Sequence, residues 1–234
     1  MKIVGVSTVK DEPDIGRVLS HMHDQGVDNV IISSDDQADY NQFGTVLPWH
    51  WVPCHQPFDQ GLEITWLAKI ARADYAADWI VPFDADEYWC GMGGLTIREA
   101  LIPIPDDINT IYCPMFLHLT PELREPYAKP LNKVAFRPRA DMIVAWGNHD
   151  VSGRTNYGGG QLLVRELQYT SYDHFLAKVE KARQLHVQPH MASHEYGSHM
   201  WRLCQMTPAE LEAEWAAHLA TPTTFDPIPG SDKW

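Results

Sequence analysis

An apolar run ends in three carboxylates at Trp79-Ile80-Val81-Pro82-Phe83-Asp84-Ala85-Asp86-Glu87. Carboxylates this close repel one another unless a cation or a shared proton compensates, and hard oxygen donors suit Mg²⁺ or Mn²⁺. A short apolar run bounded by charge predicts a buried strand, and in open α/β sheets ligands gather beyond the carboxyl ends of such strands. Asp84 and Asp86 are therefore expected to face a crevice and to ligate a divalent metal. The bland alternative is a polar strand exit with Asp86 in a turn. A second group, Gly147-Asn148-His149-Asp150, sets an imidazole beside a carboxylate at the end of another predicted strand. His149 is expected to complete the metal site, against the alternative of a hydrogen-bonded loop histidine. His190, His194 and His199 crowd together without metal-ligand spacing and are expected on a lid or acceptor loop.

The elements that must position these groups begin with a strand over Lys2 to Val6. Asp11-Glu12-Pro13-Asp14 then opens a helix whose buried face is Ile15, Val18, Leu19 and Met22, with Gly26 as its stop. Val27 to Ile32 is a second strand, so the chain opens as a β-α-β unit of a parallel sheet with a right-handed crossover. After a third apolar piece, Val46 to Val52, the residues Leu62, Trp66, Ile70 and Ala73 mark a helix leading into the Asp84 strand. On that helix Lys69 and Arg72 either reach toward a diphosphate or form a solvated face. Thr96 to Glu99 is a capping box, Asn109 to Leu119 a longer strand, and Lys133 to Arg137 and Met142 to Trp146 are strands of a mixed second half. Gly158-Gly159-Gly160 lacks the Lys-Ser or Lys-Thr of a phosphate loop and predicts a turn or mobile loop before a strand at Gln161 to Val164. Ser171 caps a helix carrying Phe175, Val179 and Ala182 on one face. Thr207-Pro208-Ala209-Glu210 opens another with Leu211, Trp215 and Leu219.

With 234 residues, 44% hydrophobic and 21% charged, the chain is expected to fold as one α/β domain over 1–220 with an extended tail over 221–234. A net charge of −13 argues against nucleic acid or an anionic membrane surface. An anionic small molecule needs a metal ion or a local cluster of Lys and Arg to offset the repulsion. Cys54, Cys90, Cys113 and Cys204 lack zinc-ribbon spacing. The first residues are too weakly apolar for a signal peptide and no run approaches a membrane span, so a reduced, cytoplasmic protein is expected.

Taken together, Val9-Lys10-Asp11-Glu12, Asp78 through Glu87 and Gly147-Asn148-His149-Asp150 resemble a glycosyltransferase of the family 2 type. The helix segment Thr170-Ser171-Tyr172-Asp173-His174-Phe175-Leu176-Ala177-Lys178-Val179 and His199-Met200-Trp201-Arg202 extend the likeness to about residue 202. The chain departs from that pattern at Glu166, where the family often has His, at Thr170, where it has Arg, and at Met200, which interrupts His-Trp. The resemblance implies a GT-A fold, a Rossmann-like mixed sheet flanked by helices. Its nucleotide-sugar-binding half would be 1–89 and its acceptor half 90–220. It implies that Asp84 contacts ribose or metal, and that Asp86 and His149 hold Mn²⁺ or Mg²⁺ against the donor diphosphate. Thr8, Lys10, Glu12 and Asp35 or Asp36 would meet the nucleoside base and ribose. The expected activity is metal-dependent transfer of a sugar from a nucleotide-sugar, UDP-linked rather than GDP-linked, to an acceptor the sequence does not name. An inverting transfer needs a carboxylate base, for which Asp150 is the nominee beside Asp106, Asp141 and Glu195, and Trp89, Trp146 or Trp201 would stack on sugars. Two other readings stand: a degenerate fold that binds sugar or protein without turnover, and a phosphatase of the haloacid-dehalogenase type. The latter's Asp-x-Asp usually lies nearer the N-terminus and continues to Thr rather than Glu87-Tyr88.

Overall fold

Apolar residues alternate along the first two strands and so face opposite sides of the sheet they build. In β1 (Ile3–Thr8) and β2 (Asn29–Ser34), Ile3, Val30 and Ile32 join one hydrophobic core while Val4, Val6 and Ile31 join the other. The computed structural model describes residues 1–9, 12, 15–34, 47–55, 59–145, 148–153, 156–186 and 198–233. β1 pairs in parallel with β2 and with β4 (Trp79–Pro82), and β3 (Trp49–Pro53) adds in parallel beyond β2. Helix α1 (Ile15–Asp24) covers the first core with Ile15, Val18, Leu19 and Met22, the face its spacing predicts. Helix α2 (Gln60–Tyr75) covers the second, but with Ile64, Leu67, Ala68 and Ala71. Leu62 is exposed, Trp66 and Ile70 are only partly buried, and Ala73 is exposed. Apolar residues run around much of this helix, so the sheet, not the periodicity, selects the stripe that is buried.

The second half reverses direction. β5 (Glu87–Gly91), α3 (Ile97–Leu101), β6 (Thr110–Leu117), β7 (Leu123–Arg124), β8 (Asn132–Phe136), β9 (Val144–Ala145), β10 (Asp150–Val151), β11 (Tyr157–Gly159) and β12 (Leu162–Glu166) follow in order. Among the described residues the main sheet has nine strands in the order β3-β2-β1-β4-β8-β6-β12-β5, with β11 also on β6. β8 runs antiparallel to β4 and β6, which carries the sheet into a mixed second half as expected. Two expectations are corrected. The chain after Asp86, for which no strand is expected from the sequence, re-enters the sheet as β5, because the turn at Asp84 to Glu87 folds the buried run Glu87-Tyr88-Trp89-Cys90 back against β12. Gly158 and Gly159 lie in β11 rather than in a loop, since a residue without a side chain lets that strand approach Ile111, which a Cβ on Gly158 would meet at 3.2 Å.

Helices α4 (Tyr172–His186), α5 (Ser198–Cys204) and α6 (Pro208–Leu219) share a third core of Tyr169, Phe175, Val179, Leu203 and Leu211. Ser171 caps α4 and Thr207 closes a capping box with Glu210 at α6. The terminal segment is extended but tied down. β13 (Thr224–Phe225) pairs with β7, Asp226 accepts from Arg124 and Arg165, and Ile228 is buried. At the end of β5, a Cβ on Gly91 would stand 2.7 Å from the carbonyl oxygens of Leu95 and Thr96. Gly91→Ala is expected to cost about 1–3 kcal/mol, read as a lower urea midpoint at unchanged m.

Candidate functional site

The turn that bears the carboxylates is fixed from both sides. Ser7 Oγ donates to the Phe83 carbonyl at 2.6 Å and Phe83 N–H donates to Val6 O at 3.0 Å, which holds the exit of β4 beside that of β1. Asp84 N–H donates to Glu87 Oε2 at 3.1 Å and Glu87 N–H returns to Asp84 O at 3.1 Å. Leu167 N–H donates to Asp86 O, fastening the turn to the end of β12.

Asp84 has both oxygens engaged. Oδ1 accepts from Gln60 Nε2 at 3.0 Å and from Asn148 Nδ2 at 3.3 Å, and Oδ2 accepts from Lys133 Nζ at 2.7 Å. Burial opposes its ionisation, but the Lys133 charge and hydrogen bond prevail and hold the carboxyl below its ordinary range. Lys133 is almost completely buried, and its ammonium also donates to Asn148 Oδ1 and lies 2.7 Å from Glu87 Oε1. Asp84 and Asn148 thus accept hydrogen bonds from the ammonium, and Glu87 meets it as an ion-pair contact. The contact to Glu87 is off the hydrogen-bonding direction, and Oε1 accepts no well-directed bond. Glu87 is fully buried, with Oε2 accepting from Asp84 N–H and from Trp89 Nε1 at 3.3 Å. Burial and the Asp84 charge outweigh Lys133 and push Glu87 up to about 8.

Asn148 carries φ +113°, a region that non-glycine residues rarely occupy, and its side chain is buried against Asp84 and Lys133. The Asp-x-Asp and Asn-His-Asp groups therefore meet, through Asn148. His149 Nδ1 lies 2.7 Å from the Asn132 carbonyl and so carries the proton, which leaves the lone pair on Nε2. Burial, then Lys133, lowers its basicity and favours the neutral ring.

A second layer of charge lies beside the first. Asp86 Oδ2 accepts from Lys178 Nζ at 2.7 Å. Lys178 stands 3.9 Å from Glu12 Oε2, and Lys181 stands 3.3 Å from Glu12 Oε1. Glu166, beside Glu87 in the β5–β12 ladder, is paired with Lys129. Burial raises its pKa, opposed by Lys129 and assisted by Asp86.

Of the expected site residues, Glu12, Asp84, Asp86 and His149 lie in this region, and Thr8 ends β1 half-buried. Lys10, Asp35, Asp36, Trp146, Gly147, His190, His194 and Glu195 lie outside the described residues. Lys69 and Arg72 occupy the solvent face of α2, opposite the stripe packed on the sheet. Asp150 Oδ1 accepts from Tyr112 OH and from Val151 N–H, both at 2.8 Å. Trp89 is a buried core residue that holds Glu87, not a stacking platform.

Asp84, Asp86 and His149 as placed do not fit Mn²⁺ or Mg²⁺. Each carboxylate already holds an ammonium, and among the described residues no three His, Cys, Asp or Glu side chains are arranged to hold a metal ion. Only His149 is oriented as a metal ligand would be. The residues that sequence reasoning missed are Lys133, Lys178 and Glu166 in an interacting role. Lys178 had a signal, because it stands three positions after Phe175, next to Val179 on the face that α4 buries.

No family model matches the chain, and no curated protein sequence does. Among solved structures it is similar to Rv0371c from Mycobacterium tuberculosis H37Rv, with 14% identity and a TM-score of 0.45 over 76% of this chain and 96% of that one. It is also similar to HddC from Yersinia pseudotuberculosis, with 15% identity and a TM-score of 0.36 over 71% and 77% of the two chains. A CMP:2-keto-3-deoxy-manno-octonic acid synthetase complexed with CTP matches at 13% identity and a TM-score of 0.36, over 59% of this chain and 75% of that one.

Proposed function

We propose that the chain is a GT-A glycosyltransferase of the family 2 type that moves a sugar from a nucleotide-sugar, UDP-linked in this reading, to an acceptor hydroxyl. The observation that carries the reading is the meeting of the Asp84–Glu87 turn with Asn148 and His149 at the carboxyl end of β4, beside that of β1. Parallel sheets present their ligand crevice at such strand ends. Asp84, kept ionised by Lys133, suits ribose hydroxyl donors, with Thr8 and Glu12 on the nucleoside side. For deprotonating the acceptor, Glu166 is better poised than Asp150. Burial raises its proton affinity against the pull of Lys129, and it lies beside Glu87 and the Asp84 turn, whereas Asp150 accepts from Tyr112 and Val151. No step is assigned to the metal that the resemblance implies.

The test is a panel of UDP-, GDP-, CDP- and ADP-sugars, offered in Mn²⁺ and in EDTA, with melting temperature and release of nucleoside diphosphate as readouts. A donor present at a hundred times its Kd stabilises by about 2.7 kcal/mol, a rise of several degrees for a chain of this size. Asp84→Asn is expected to abolish that rise. Absence of both shift and release with every donor, in both buffers, would sink the proposal. A shift without release would favour a binding protein lacking turnover.

A further inference from the structure

The region around the Asp84–Glu87 turn gathers half of the chain's lysines. The protein has eight lysines and a net charge of −13, yet Lys129, Lys133, Lys178 and Lys181 all converge on this one place. They face five carboxylates, Glu12, Asp84, Asp86, Glu87 and Glu166. An acidic protein that binds a dianionic diphosphate needs local positive charge, either an ion or side chains. The lysines fall into two kinds. Lys133 is 3% exposed at its side chain, donates to Asp84 and Asn148 and lies 2.7 Å from Glu87, so it is a fixed internal cation between the two carboxyls. Lys178 and Lys181 reach solvent at 16% and 28%; Lys178 donates to Asp86 at 2.7 Å and stands 3.9 Å from Glu12, and Lys181 donates to Glu12 at 3.3 Å. Standing at i and i+3 on α4, they extend from the same helix face toward the same carboxylate.

Resting on the transferase reading, we propose that Lys178 and Lys181 receive the donor diphosphate and that Lys133 serves as the site's internal cation, so that the donor binds and reacts without a divalent metal. Phosphate oxygens replace Glu12, and in part Asp86, as partners of the two ammonium groups. Binding therefore exchanges ion pairs to single carboxylates for charge-assisted hydrogen bonds to a more highly charged anion. In the transfer, the bond from sugar C1 to the diphosphate oxygen breaks and its electron pair leaves with the nucleoside diphosphate. The acceptor oxygen bonds to C1 and its proton passes to Glu166. Lys178 and Lys181 stabilise the charge that gathers on the leaving oxygen, the role otherwise given to a Lewis acid.

The test measures binding of UDP, GDP, CDP, ADP, inorganic diphosphate and the matching nucleosides to the full chain by calorimetry, in EDTA and in Mn²⁺. One nucleoside diphosphate is expected to bind in EDTA, with an affinity that Mn²⁺ changes less than about threefold and that added salt weakens steeply. Lys178→Met and Lys181→Met should each weaken it about tenfold or more, while Lys178→Arg retains most of it and nucleoside binding stays unchanged. Lys181 is the more exposed of the two, so its variant keeps the test open if Lys178→Met folds poorly. The wild-type comparison of EDTA with Mn²⁺ requires no variant. Diphosphate binding that appears only with Mn²⁺, or methionine variants that bind like wild type, overturns this inference and leaves the transferase reading standing. Failure of every nucleotide in both buffers overturns the two together.

Discussion

Lys133→Met is expected to destabilise the fold by about 3–5 kcal/mol, the cost typical of removing one partner from a buried ion cluster. The side chain lies between Asp84 and Glu87 and donates to Asn148, all three of which lose their cation at once. Methionine fills the space but satisfies no acceptor, and Asn148 Oδ1 is left buried without that donor. Glu87 already holds a proton at pH 7, so Asp84 is the carboxyl that must then take one up, and the loss should shrink as the pH is lowered toward 5. Urea unfolding at pH 7 and pH 5 reads both effects, and a loss below about 1 kcal/mol at pH 7 would show that the ammonium is dispensable. Adding Asp84→Asn and Glu87→Gln to Lys133→Met should recover a large part of the stability, since the cluster is then neutral throughout.

Lys133 also marks where the sequence stops being readable. The β-α-β opening, the helix face Ile15-Val18-Leu19-Met22 and the caps at Ser171 and Thr207 are local patterns, and each reappears in the fold. The Asp84 and Asn148 groups were visible as motifs, and so was the need for a cation near the carboxylates. What could not be read was which cation. Lys133 comes from an antiparallel strand inserted beside β4, and Lys178 from a helix held by a separate core, so their approach depends on topology rather than spacing. The burial of Glu87 was hidden for the same reason. A strand exit and a tight turn back into the sheet share a sequence, and only the pairing of β5 with β12 separates them. Composition raised two physically sound alternatives, a metal or a local cluster of basic side chains, and the fold sets Lys129, Lys133, Lys178 and Lys181 among the carboxylates.

The same cluster is expected to make stability depend on pH in a direction unusual for a carboxylate. One ammonium lies between Asp84 and Glu87; Asp84 is held ionised, and Glu87 is raised from its ordinary 4.5 to about 8. The folded chain therefore holds a proton on Glu87 that the unfolded chain has already released, and stability falls as pH rises from 4.5 through 8. Asp84 acts at the other end, contributing stability above 3.8 that is lost on acidification, and Lys133, raised above 10.5, keeps its contribution throughout this window. His21, His118 and His149 are all lowered from 6.5 and give the opposite slope, but only below that value. The window from pH 6.5 to 8.5 thus separates them from Glu87. Glu87→Gln carries a neutral group of the same shape, so its melting temperature should change much less with pH across that window than the wild type's. The whole difference amounts to a few kcal/mol, at about 1.4 kcal/mol for each unit of pKa. Glu166, also raised, slopes the same way in both proteins and cancels from the comparison. Parallel profiles for wild type and Glu87→Gln would mean that Glu87 is ionised in the fold, and that Lys133 neutralises two carboxylates rather than one.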